Sequence, residues 1–90
     1  MGIFDWDDGN RGHIALHGVT PAEAEQVYLN DPVDEGVDNV EGEERFIYLG
    51  ETNRGRILRL LITMRGELVR VVTCFEPSRA AKLSYMHSKR

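Results

Sequence analysis

The side chains with most chemistry to offer in this sequence are arginines. Residues 53–90 carry nine bases, seven of them arginine, and only two acids. A guanidinium makes paired hydrogen bonds to phosphate or carboxylate, so this excess points to an oxyanion ligand. Residues 1–52 have the opposite sign, with thirteen acids and two bases. Such a split gives either a basic face beside an acidic one or mutual neutralisation across the fold. Within 56–64, RILRLLITM, strand alternation puts Arg59, Leu61 and Thr63 on one face and Leu58, Leu60 and Ile62 on the other. Arg65 continues the first face. Arg70 stands between Val69 and Val71, where an arginine requires solvent or an anion.

The histidines are a weaker signal. His13 and His17 are four residues apart, one helical turn, but the residue after His13 is Ile14 and not the glutamate of a zinc protease motif. Ordinary helix histidines are the better reading. His17 stands beside Gly18 at a helix end, where the helix dipole favours a protonated imidazole. There is no nucleophile elbow. The segment Gly50–Gly55 lacks the Lys-Ser/Thr of a phosphate loop, so it reads as a hairpin turn. The one cysteine, Cys74, excludes an internal disulfide and a cysteine-based zinc cluster. No metal and no other cofactor is expected.

The elements that position these residues follow from capping and turn chemistry. Asp7 or Asp8 caps a short helix to about His17, with Gly18 ending it. Thr20-Pro21-Ala22-Glu23 is a capping box that starts a helix to about Leu29, with Ala24, Val27 and Tyr28 facing the core. Residues 33–44, VDEGVDNVEGEE, are acidic and read mostly as a loop with at most a brief strand. Strands are expected at Arg45–Gly50, Arg56–Met64 and Leu68–Phe75, joined by glycine turns as an antiparallel meander. Ser78 caps a final helix over residues 78–90, with Ala81, Leu83 and Tyr85 turned to the sheet. The fold class is α+β: N-terminal helices, a three- or four-stranded antiparallel meander and a C-terminal helix.

Ninety residues suit one small domain, 1–90, and its limited core makes help from a partner chain plausible. No apolar run approaches the length of a membrane span, and the opening MGIFDWDDGN has no apolar leader core. A cytoplasmic location is the expectation, with no membrane contact.

The order of several short motifs resembles the BrnT family, the toxins of type II toxin–antitoxin pairs. They are Phe4-Asp5-Trp6-Asp7, Asn10, Leu16-His17-Gly18-Val19 and Glu23-Ala24. Glu41 to Ile47 follows, then Leu49-Gly50, Arg54-Gly55-Arg56-Ile57-Leu58, Thr63-Met64-Arg65 and Val69-Arg70-Val71-Val72. The resemblance implies a bacterial, metal-independent endoribonuclease that cleaves RNA and inhibits translation, on a compact RelE-like fold. It also implies a cognate BrnA-like antitoxin, with DNA bound only through that complex and an oligomer formed with it. On charge type and matched motif, His17, Glu43, Arg65 and Arg70 are the expected catalytic residues. Arg45, Arg54, Arg56 and Arg59 are expected to contact RNA. Two positions depart from the family: Phe75 where an arginine is usual and Ala81 where a glutamate is usual. An alternative therefore stands beside the enzyme, a degenerate relative that acts only as an antitoxin-binding or regulatory module.

Overall fold

The structure is a computed structural model that describes residues 2–89, so Arg90 of the expected last helix lies outside the described residues. Helix α1 spans Asp8–Ala15 and α2 Pro21–Leu29. Strands β1 Val33–Val40, β2 Glu43–Glu51, β3 Ile57–Arg65 and β4 Leu68–Phe75 follow, then helix α3 Arg79–Ser88. The strands form one antiparallel sheet in the order β1-β2-β3-β4. The fold class is thus α+β, with four strands. No helix among the described residues is long and apolar enough to cross a membrane.

Local chemistry explains the helix starts. Asp7 and Asn10 form a reciprocal capping box for α1, as Thr20 and Glu23 do for α2 with Pro21 in the first turn. Ser78 caps α3 by accepting from the Ala81 N–H. Helix α1 ends at Ala15 with Leu16 as its C-cap, two residues short of the expected His17, and Gly18 closes the following turn at φ +69°, a conformation that favours glycine.

The segment read as a loop, residues 33–44, is the hairpin of β1 and β2. Val40 pairs with Glu43 across Glu41 and Gly42, both at positive φ as a type I′ turn requires. Sequence patterning misses β1 because it is an edge strand whose residues 34–39 are all exposed. A strand with no buried face has no reason to alternate apolar and polar residues. The register slips at Gly36, with φ +110°. A bulge and acidic side chains on an open edge discourage pairing with other chains.

Leu58, Leu60 and Ile62 of β3 point to the core with Ile14, Val19, Ala24 and Val27 from α1, α2 and their connection. Each of the Leu, Ile and Val side chains stabilises the fold by about 1.5–3 kcal/mol on burial. On β4 the core residues are Val69, Val71 and Cys74, not a strict alternation. The register jumps from Leu61↔Thr73 to Ile62↔Val71. The extra residue, Val72, turns Cys74 into the core and Thr73 out of it. Burial pushes the Cys74 thiol up to about 12, so it behaves as a small apolar side chain.

The opposite sheet face carries α3. Tyr85 is buried there, and its hydroxyl donates to Glu51 at 3.1 Å. Leu83 does not turn to the sheet as expected but is 48% exposed. The face is covered at the Glu51 end and open at the end that carries Arg45, Thr63 and Arg65.

Asn10 ties α1 to β4. Its side chain donates to the carbonyls of Asp5 (3.0 Å) and Val71 (3.1 Å) and accepts from the Asp7 N–H at 2.8 Å. Replacing Asn10 by Ala strands those partners and should lower stability by about 1–3 kcal/mol, read as a shift of the urea midpoint.

Candidate functional site

Four of the sequence-expected residues line one cleft of about 230 Å³: Glu43, Arg45, Arg65 and Arg70. Thr63, Val72, Asn10 and His13 are also in its wall. Strand geometry explains the grouping. Thr63 faces Arg70 across the β3–β4 ladder, and Arg65 is two residues beyond Thr63 on the same side. Arg45 stands on β2 with Glu43 two residues before it. Thr63 is buried and donates its hydroxyl hydrogen to the Glu44 carbonyl at 2.9 Å, which fixes the floor.

The cleft arginines already have carboxylate partners. Arg45 Nε donates to Glu43 Oε1 at 3.2 Å, and Arg65 meets Glu43 Oε2 at 3.7 Å. Arg70 meets Asp7 at 3.0 Å and Asp5 at 3.4 Å. The anion that a strand arginine between two valines requires is therefore the N-terminal segment of the same chain. That segment runs beside β4, with hydrogen bonds from Asp5 N to Val69 O and from Val69 N to Ile3 O, both 2.8 Å. Arg65 has an exposed side chain (56%), whereas that of Arg70 is held in (18%). Arg65 is thus the guanidinium best placed for an incoming anion.

The other expected residues lie elsewhere. Arg54 is exposed in the β2–β3 turn, and Arg65 ends β3 at the β3–β4 turn. The two stand at opposite ends of β3. Arg56 donates to Glu23 and to the Gly18 carbonyl, and also meets Glu76. Burial raises the Glu23 carboxyl, but the Thr20 N–H and Arg56 outweigh it and leave it below its ordinary value. Arg59 pairs with Glu35 of β1 at 2.9 Å. Among the described residues, five of the nine bases of residues 53–90 thus pair with acids of residues 1–52.

His17 does not line the cleft. Its ring stands 5.9 Å from Phe75 and 5.5 Å from His13, centroid to centroid. His13 lines the cleft instead, with Nε2 3.1 Å from Thr73 Oγ1. Sequence reasoning passed over His13 because its neighbour Thr73 is turned outward only by the β4 bulge, which no residue pattern announced. Among the described residues no group of three or more His, Cys, Asp or Glu is placed to hold a metal ion.

The ensemble is a shallow, water-accessible cleft with guanidinium groups on three strands, one carboxylate between two of them and an imidazole on the wall. Guanidinium groups make paired hydrogen bonds to phosphate oxygens, so the arrangement is chemically suited to an oxyanion that displaces a carboxylate partner. A model of the family described as ribonuclease toxin, BrnT, of type II toxin–antitoxin system matches residues 6–79. No curated protein matches the chain.

Two outcomes follow for the ion pairs. Arg65→Ala should leave stability within about 0.5 kcal/mol of wild type, whereas Arg70→Ala should cost about 1–2 kcal/mol by releasing two carboxylates. Paired denaturation curves decide this. The hydrogen bond from Arg70, then that of the Asn10 N–H, holds the Asp7 carboxyl below the ordinary aspartate value. A lowered folded value contributes stability that is present above the unfolded value and lost as pH falls through the folded one. Asp7→Asn keeps a helix-capping side chain and removes the charge. Its urea midpoint should lie below wild type at neutral pH, and the gap should close as pH falls below the ordinary aspartate range.

Proposed function

The chain belongs to the BrnT family of ribonuclease toxins of type II toxin–antitoxin systems, and from that premise we propose that it cleaves RNA in the cleft between Glu43, Arg45, Arg65 and Arg70. The observation that carries this reading is an open cleft lined by three guanidinium groups, two of which meet one carboxylate, Glu43. Cleavage by the ribose 2′-OH requires a base for that hydroxyl and cations for the charge that develops on phosphorus. Arginine supplies the cations here, so the reaction we propose runs without a metal ion. Arg65 takes the phosphate. Glu43 then loses its partner at 3.7 Å, and its freed carboxylate accepts the 2′-OH proton. Arg45 keeps Glu43 in place through the 3.2 Å hydrogen bond.

Arg70 has a different part. It binds the N-terminal segment through Asp5 and Asp7 and so fixes the back wall of the cleft. Arg54 at the far end of β3 is an outlying RNA contact, while Arg56 and Arg59 serve the fold through Glu23 and Glu35. The α+β architecture with helices on both sides of a four-stranded meander is compatible with a compact RelE-like toxin in the cytoplasm. Loss of messenger RNA would inhibit translation. As a toxin of such a pair the chain has an antitoxin partner, and a BrnA-like protein is the one we propose.

A second reading is favoured by one feature. Phe75, where the family usually has arginine, is half-buried against the His17 ring and adds no charge. A chain that kept its partner surface but lost turnover would look like this. Expression alone separates the two: arrested growth with fragmented RNA supports the enzyme, and harmless expression with antitoxin binding supports the module.

For the enzyme, Glu43→Gln and Arg65→Ala should each lower single-turnover cleavage by about 10²-fold or more without shifting the urea midpoint. RNA affinity should fall steeply between 50 and 200 mM salt, on the order of one counterion released per phosphate contacted. Wild-type cleavage by both variants would remove the cleft from the mechanism.

A further inference from the structure

Attack by the 2′-OH expels the 5′ oxygen, which leaves as a poor alkoxide unless a donor stands beside it. Glu43 is a base in the reading above and cannot also be charged with that proton at the start of the step. Among the residues that line the cleft, His13 is the imidazole.

The surroundings of His13 hold it in place from three directions. Asn10, one helical turn earlier, is nearly buried and bonded to the Val71 carbonyl, so the helix under His13 is fixed along β4. The extra residue at Val72 then turns Thr73 outward, and its hydroxyl meets His13 Nε2 at 3.1 Å. The His17 ring closes one side edge to face at 5.5 Å and is itself backed by Phe75. A side chain that were only solvated would have no use for this support. With Nε2 turned to Thr73, Nδ1 is the ring nitrogen left for a ligand.

Resting on the proposal of RNA cleavage in this cleft, we infer that His13 is its proton donor, with Thr73 as the positioning residue that holds the ring. The 2′ oxygen forms a bond to phosphorus as the bond from phosphorus to the 5′ oxygen breaks. Glu43 receives the 2′-OH proton, and the His13 Nδ1–H protonates the 5′ oxygen. The products are a 2′,3′-cyclic phosphate and a 5′-hydroxyl. Proton exchange with water resets both groups. The charged and titratable groups around His13 are His17 on its own helix, Glu43 and Arg45 of β2, Arg65 of β3 and Arg70 of β4. Of the two groups expected from sequence to transfer a proton, His17 or Glu43, this assignment keeps Glu43 and replaces His17 by the histidine one turn earlier.

The test uses the full chain and a mixed-sequence RNA oligonucleotide, with the cut site mapped for wild type. His13→Gln should lower single-turnover cleavage by about 10²–10⁴-fold. The same RNA with sulfur in place of the 5′ oxygen at the cut site expels a thiolate, which needs no proton. On it, His13→Gln should recover to within about tenfold of wild type, because only a proton-donor defect is bypassed. His13 is exposed, so the variant should keep the wild-type urea midpoint. Thr73→Val should give a smaller defect with the same recovery. Equal loss on both substrates overturns the donor role, and so does recovery seen for His17→Ala in place of His13→Gln. Full activity of His13→Gln overturns this inference alone. No cleavage by wild type of any RNA overturns it together with the cleavage reading.

Discussion

The side chain of Asn10 donates to the carbonyls of Asp5 and Val71 and accepts from the Asp7 N–H, and the course of α1 along β4 follows from these bonds. Asn10 is 5% exposed, so each bond forms where water does not compete and where its loss would leave a buried carbonyl without a donor. The consequences reach both faces of the sheet. Ile14, one turn beyond, enters the core cluster that also holds Val71 and Ile62. His13 faces the other way, over Thr73. The Asp5–Asp7 segment is brought to Arg70, which explains a charged side chain in the middle of an apolar strand.

Charge has a double use in this molecule. The acidic first half and basic second half interlock: Arg56 with Glu23, Arg59 with Glu35, Arg70 with Asp5 and Asp7, Lys89 with Asp31. Exposed pairs of this kind contribute little each, a median of about 0–1 kcal/mol. They also bear on the RNA binding proposed above: a guanidinium with an intramolecular carboxylate offers less net attraction to RNA than a free one, and a phosphate that binds there would displace the carboxylate. Within the cleft this exchange costs least at Arg65, whose contact with Glu43 is the longest and whose side chain is the most exposed. The guanidinium most open to exchange is thus the one nearest the carboxylate that exchange would release.

The β4 bulge links fold to site. One extra residue at Val72 moves Cys74 into the core and Thr73 out of it. A regular strand would bury Thr73 with Val69 and Val71 and turn the small apolar Cys74 to solvent. Bulges commonly re-aim a side chain beside a functional site. In this chain the re-aimed hydroxyl meets the imidazole on the cleft wall.

The sequence alone determined the elements whose cause is local. The Thr20–Glu23 capping box, the Gly18 turn, the alternation of β3 and the Ser78 cap all depend on neighbours a few residues apart, and each is in the structure where it was read. The family was legible too, because it rests on ordered motifs spread along the chain. Strand β1 was hidden because an exposed edge strand leaves no pattern of burial, and its Glu41-Gly42 turn lacks the Asn-Gly signature of a tight hairpin. Glu43, Arg45, Arg65 and Arg70 were legible as charges at suggestive positions. Their convergence in one cleft, and the placing of Arg54, Arg56 and Arg59 outside it, was decided by strand register. Which histidine reaches the cleft was decided later still, by how α1 is bound along β4. That is a contact between residues 60 positions apart, His13 and Thr73, and no spacing within α1 encodes it.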